Sequence, residues 1–184
     1  MNTITDNSLM LQVKAGQLDK LGLLYERHKH KLFGFFFKMN ADRQLSEDLV
    51  HTLFERILKY RESFSDKAHF VAWIHRMAIN VNNDHYRKNG KMRANSDVEI
   101  LVNKESSYDT VEVKINATEQ QQQLQKALNT LEKEKKELLV LSKYQGLKCS
   151  QIGQLMDLSE GAVRVKIHRA LKDLKTAFLK LENE

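Results

Sequence analysis

Not one proline interrupts these 184 residues, and only seven glycines punctuate them. Proline and glycine are the residues that break helices from within, so the chain is free to run in long helices. Its apolar residues recur at intervals of three and four, the period of a helix with one buried face. Ser8 is placed to cap a short first helix carrying Leu9 and Val13, and Asp19 a longer one running through Leu23, Leu24 and the cluster from Phe33 to Phe37. Ser46 is placed to cap a third, whose stripe is Leu49, Val50, Leu53, Phe54, Ile57 and Leu58. After a loop over residues 61–68 a fourth carries Phe70, Ile74, Met77 and Val81 and is expected to end near Gly90. Four helices with short joints make one small bundle.

Charge divides the chain. Residues 1–93 hold 16 basic and 10 acidic groups, residues 94–123 hold 2 and 6, and residues 124–184 hold 12 and 8. The acidic middle has few aromatics and buries little, so residues 94–118 are expected to form a flexible linker between two helical domains, 1–93 and 119–184. Val111, Val113 and Ile115 alternate at period two inside it, but no second strand signal offers them an edge. A lone Cys149 makes no internal disulfide, the start lacks a basic and apolar leader, and the longest apolar run, residues 32–37, is far short of the ~20 residues that span a bilayer. A cytoplasmic protein without membrane insertion is expected. A net charge of +6 favours a polyanionic partner.

The last 61 residues carry the sharpest local pattern. Leu124, Leu128 and Leu131, then Leu138, Leu139 and Leu141, build two helices up to Gln145-Gly146, where glycine supplies a left-handed terminus. A short helix with Ile152, Gly153 and Met156 follows, then a break at Asp157-Leu158, then Ser159 as cap of a long helix buried through Val163, Ile167, Ala170 and Leu174. Gly153 would let two helices approach. This is a helix-turn-helix, whose second helix can lie in a DNA major groove with Arg164, Val165, His168, Arg169 and Lys172 outward. Arginine can pair with guanine edges, histidine with a base edge, and lysine with phosphate. On the fourth helix Trp73, Arg76, Asn80, Asn83 and Arg87 form one stripe, an aromatic, amide and basic row that suits single-stranded nucleic acid. Glu47, Asp48, His51 and Glu55 line the outer side of the third helix, by themselves a solvated face.

The segments "LSEDLVHTLFERILKY", "FSDKAHFVAWIHRMAINVNNDHYRKN" and "ALNTLEKEKKELLVLSKYQGLKCSQIGQLMDLSEGAVRVKIHRALKDLK", in this order, closely resemble bacterial RNA polymerase sigma factors of the sigma-70 family, extracytoplasmic-function (ECF) group. The resemblance runs from about Leu9 to Phe178 and implies a region 2 domain, a linker and a region 4 helix-turn-helix domain. It implies that the helix of Glu47, Asp48, His51 and Glu55 docks on the β′ clamp of core polymerase, and that region 4 meets the β flap. The loop of Phe64, Ser65, Asp66, Lys67 and His69 would capture a base flipped from the −10 element, with the Trp73 to Arg87 stripe behind it. Arg164, Val165, His168, Arg169 and Lys172 would read the −35 element. An anti-sigma factor is an open further partner. Where the family commonly has Gln-Glu after "DLV" this chain has His51-Thr52, and Val165 replaces a frequent serine.

An enzyme is not expected. His28 and His30 fall on different helix faces, and Cys149 has no neighbouring histidine in a nucleophile-like arrangement, so neither metal nor cofactor is foreseen. A stand-alone helix-turn-helix repressor or activator would explain residues 124–184 equally well, but leaves the Trp73 to Arg87 stripe unused.

Overall fold

Helix ends decide how this chain turns, and two of them sit back to back. The long helix α2 (Asp19–Asn40) is closed by Ala41 in the left-handed region (φ 56°), whose N–H donates to Phe37 O at 2.8 Å. The next residue, Asp42, is extended and accepts from the Leu45 N–H at 2.9 Å, starting α3 (Arg43–Lys59). One residue that stops a helix and one that starts the next make an antiparallel pair with a two-residue joint. The computed structural model describes residues 4–65, 69–94 and 119–182. All the described secondary structure is helical, with no strand among the described residues; Val111, Val113 and Ile115, like most of the expected linker, lie outside them.

Helix α1 (Asp6–Lys14) starts from Thr5, whose Oγ1 accepts from the Ser8 N–H, so Ser8 is not the cap expected from sequence. Ser46 is not a cap either: it lies inside α3, buried, with its hydroxyl donating to Asp42 O. Asp19 is the first residue of α2 rather than its cap, with Leu18 before it. A 3₁₀ turn (Arg61–Ser63) leads to α4 (Phe70–Ala94), which overruns Gly90. Phe35, Phe36, Leu53, Ile57, Phe64, Phe70 and Ile74 are fully buried between these helices, each worth about 1.5–3 kcal/mol by transfer from water. Leu23 is exposed, off the buried stripe. Asp6 ties α1 down through Arg27 (2.7 Å) and His28 (2.8 Å), and Asn7 Oδ1 accepts from the Phe70 N–H at the start of α4.

The C-terminal helices are α5 (Glu119–Thr130), α6 (Lys133–Leu139), α7 (Cys149–Met156) and α8 (Glu160–Glu182). Helix α6 runs on into a π turn (Val140–Tyr144), and Gly146 (φ 70°) closes it as expected. Residues 136–141 are buried without interruption, so the second half of α6 and the start of the π turn are enclosed on all sides rather than on one face, while Lys133 and Glu134 at its start are exposed. Helix α8 packs along α6, and α7 packs on α8 and the π turn. The remainder is covered by α2, because the two helical groups pack together through α2 against α5 and the π turn, and through α4 against α7.

That packing is what the sequence reading did not foresee. Lys136 Nζ, in α6, donates to Met39 O at the end of α2 (2.8 Å) and to Asn129 Oδ1 (2.7 Å). Burial lowers its pKa from that of an ordinary lysine to about 8.

Candidate nucleic-acid interface

Helix α8 is held from behind and free in front. Ser159 Oγ accepts from the Ala162 N–H and caps it as expected, while Asp157 takes the left-handed conformation (φ 54°) that ends α7. Gly153 fits against this turn and the start of α8: a Cβ there would stand 2.6 Å from Leu158 O and 3.7 Å from Glu160 N. Lys166 reaches Glu134 at 2.6 Å and Lys135 reaches Asp173 at 3.0 Å, pinning α8 to α6. Arg164, Val165, His168, Arg169 and Lys172 are all exposed together, with Val165 at 49%. Arg164 is paired with Glu160 one turn earlier, which pre-orients its guanidinium at the helix start.

The stripe on α4 is built over the bundle core. Phe64 is fully buried, edge-on to Trp73 at 5.3 Å, and Lys14 Nζ donates to its carbonyl at 2.7 Å. It therefore anchors the loop from inside and keeps its ring buried in this conformation. Ser65 and His69 are exposed, and Asp66 and Lys67 lie outside the described residues. Trp73 is half-buried on Phe64 and Phe70, while Arg76, Asn80 and Arg87 are exposed. Asn83 is half-buried, and its Oδ1 has no hydrogen-bond partner among the described residues.

Sequence reasoning missed four residues of this face. An open cavity of about 230 Å³ is lined by Arg56, Tyr60 and Ser63 as well as Trp73, Arg76, Met77 and Asn80. Asp84 binds Arg56 at 2.7 Å and Arg87 at 3.0 Å, and the Arg56 hydrogen bond holds its carboxyl below the usual range. Only Asp84-to-Arg87 spacing was a sequence signal, since Arg56 and Tyr60 come from another helix and its end. The cavity offers aromatic walls, two guanidinium groups and an amide, a set able to stack a base and hold its phosphate.

The third face lies on α3. Asp48, His51 and Glu55 are exposed and Glu47 half-buried. Arg43 pairs with Glu47 at 3.2 Å, Gln44 donates to Asp48 at 3.4 Å, and the His51 ring lies parallel to Tyr25 at 6.3 Å. Among the described residues no group of His, Cys, Asp and Glu could hold a metal, and no helix is long and apolar enough to cross a membrane.

Comparison with known proteins adds to this geometry. Residues 24–92 match the family profile "Sigma-70 region 2" and residues 121–174 match "Sigma-70, region 4", about two thirds of the chain between them. The chain is 26% identical to "RNA polymerase sigma factor CarQ" of Myxococcus xanthus, with 95% of this chain and 98% of that one covered. It is 26% identical to the "ECF RNA polymerase sigma-E factor" of Haemophilus influenzae, over 91% and 92%. Its fold is similar to that of CnrH, solved with the cytosolic domain of CnrY (TM-score 0.70, 21% identity, 93% and 95% covered). It is also similar to that of the sigma factor RpoE of Bartonella quintana, solved with the anti-sigma factor NepR (TM-score 0.64, 20% identity, 85% and 96% covered).

Proposed function

The chain belongs to the sigma-70 family, as an ECF RNA polymerase sigma factor, and from that premise we propose how its own surfaces divide the work. It directs transcription initiation. Residues 1–93 act as the region 2 domain and 119–184 as the region 4 domain, joined by 94–118. Arg164, Val165, His168, Arg169 and Lys172 read the −35 duplex. Trp73, Arg76, Asn80, Asn83 and Arg87, with Ser65, Asp66, Lys67 and His69 in the preceding loop, capture the −10 strand. Arg56 and Tyr60 join them across the cavity. Glu47, Asp48, His51 and Glu55 meet the β′ clamp, and region 4 the β flap. The chain works in the cytoplasm through binding energy alone, holding the unpaired strand more tightly than the paired one, with no covalent chemistry of its own. The two solved neighbours carry a CnrY domain and NepR; a partner of the anti-sigma kind is proposed for this chain by that likeness.

The observation that supports this reading best is the cavity beside Trp73. A duplex-binding repressor has no use for a stacking wall flanked by Arg56, Arg76 and Asn80. The test is open-complex formation with core polymerase, followed by permanganate. Asn80→Ala and Arg87→Ala should impair melting of duplex promoters more than binding to templates already melted across the −10 element, because the variants lose contacts made only after pairing is broken. Equal defects on both templates would remove the −10 assignment.

A further inference from the structure

We propose that α1, which lies outside the residues matched to region 2, sets the geometry of the −10 face: Asn7 and Lys14 are positioning residues that fix where Phe64 and Phe70 stand, and through them the Trp73 wall. Asn7 and Lys14 are about two turns apart, so they share one face of α1 with roughly 10 Å between them along its axis. From that face Lys14 Nζ donates to Phe64 O at 2.7 Å, and Asn7 Oδ1 accepts from the Phe70 N–H at 2.9 Å. Both contacts take hold of main chain, one just before Ser65 and the other just after His69. The first N–H groups of α4 have no partner within their own helix. His69 O accepts from the Trp73 N–H at 3.0 Å, as a cap residue does, but the acceptor for the Phe70 N–H is a side chain 63 residues earlier in the chain. A helix that is remote in sequence thus completes the start of the helix proposed to meet the unpaired strand.

A positioning element must itself be fixed, and α1 is. Leu9, Met10 and Val13 are fully buried, and α2 holds the start of the helix from beneath: Arg27 Nη1 donates to Ile4 O at 2.8 Å and pairs with Asp6 at 2.7 Å, and His28 Nε2 lies 2.8 Å from Asp6. His28 also packs edge-on to the Phe70 ring at 5.3 Å. What α1 holds is the floor of the site. The Phe64 and Phe70 rings stand 6.3 Å apart, and Trp73 rests on them at 5.3 and 6.2 Å. A displacement of either anchor therefore passes directly to the Trp73 ring and to exposed Ser65 and His69. A helix that served the core alone would need only its buried apolar side. Apolar packing lets a neighbouring segment slide, whereas hydrogen bonds to particular backbone atoms fix its place, which is what a site that must receive a base requires.

This inference rests on the −10 reading of α4, and the experiment separates the two. Trp73 is the one tryptophan of the chain, so its fluorescence reports on the floor beneath it without any DNA. Lys14→Met keeps the apolar stem but no donor, and Asn7→Ala keeps no acceptor. Each should shift Trp73 emission to longer wavelength, with far-UV circular dichroism unchanged because the buried side of α1 is intact. With the full chain assembled on core polymerase, affinity for a −10 single strand, read by anisotropy of a labelled oligonucleotide, should fall about tenfold, since apparent affinity scales with the fraction of molecules whose site is in place. Affinity for a scrambled strand should not change, and Lys14→Arg, which keeps a donor, should restore both emission and affinity. Unmoved emission, equal losses on the two strands, or a Lys14→Arg variant as defective as Lys14→Met would each overturn the positioning role. A wild-type holoenzyme that does not prefer the −10 strand to the scrambled one sinks the −10 reading, while Trp73 emission still decides whether α1 positions this face.

Discussion

Gly153 sets the geometry of the helix-turn-helix, and replacing it with alanine isolates one steric contact. Alanine in place of glycine within a helix gains about 0.5–1 kcal/mol where space allows. At position 153 the new Cβ would stand 2.6 Å from Leu158 O, so the turn must retreat by about 0.8 Å to reach ordinary van der Waals contact. The turn has no slack: Leu158 N–H donates to Gly153 O at 2.9 Å, Asp157 is fixed at φ 54°, and Ser159 is committed to the α8 cap. Overpacking of this kind costs about 1–3 kcal/mol, leaving Gly153→Ala destabilised by roughly 0.5–2 kcal/mol after the helical gain. For a unit of this size that is a fall of roughly 2–15 °C in Tm. The displaced turn carries α8 with it, so binding to −35 duplex should weaken about tenfold while binding to a −10 single strand does not. Gly161→Ala is the control, since nothing lies within 4 Å of a Cβ there. Thermal unfolding and anisotropy with both DNAs read the result. If Gly153→Ala melts with Gly161→Ala and keeps its −35 affinity, the close approach at Leu158 does not set the motif's geometry.

Three further outcomes are expected. Asp48→Arg, which puts a cation where the proposed clamp contact wants an anion, should abolish co-purification with core polymerase at unchanged helicity. Arg164→Ala and Arg169→Ala should each cost about 1–3 kcal/mol on cognate −35 DNA and relax preference at one position, whereas Lys172→Ala should weaken all sequences alike and flatten the salt dependence; equal losses on cognate and scrambled DNA would contradict base reading. Burial pushes the Asp6 carboxyl upward, but its pairs with Arg27 and His28 outweigh this and hold it below 3.8. Their stabilisation is therefore present above pH 3.8 and lost as pH falls through the lower folded value. Asp6→Asn should cost about 1 kcal/mol at pH 7 in denaturant titration, and the gap to wild type should close in acid.

What the sequence discloses here is what repeats along it. The buried stripes, the break at Asp157, the Ser159 cap and the left-handed Gly146 each leave a local pattern, and each was found where expected save for Leu23, which lies off its stripe. Two cap positions were misplaced by about a turn: Thr5 caps in place of Ser8, and Asp42 in place of Ser46. Composition alone does not rank them, because the winner is the residue whose backbone is extended. Phe64 looked like a loop residue because its neighbours are polar, and only the Trp73 and Phe70 rings reveal it as core. The packing between the two helical groups was not legible at all. Gln125, Lys136 and Gln145 have the composition of a solvated face, and their partners are backbone carbonyls, which carry no side-chain signature.

The π turn at Val140–Tyr144 is in effect a one-residue insertion in α6, with the Gln145 N–H reaching back five residues to Val140 O at 3.0 Å. Removing any one of those residues would restore the ordinary helical count and turn everything after it by about 100°. Tyr144 and Gln145 would then swing away from Lys38, Lys31 and His75 together. The helix-turn-helix beyond would keep its own interior. Loss of a single codon would thus undo much of the packing between the two helical groups without altering any residue proposed to meet DNA.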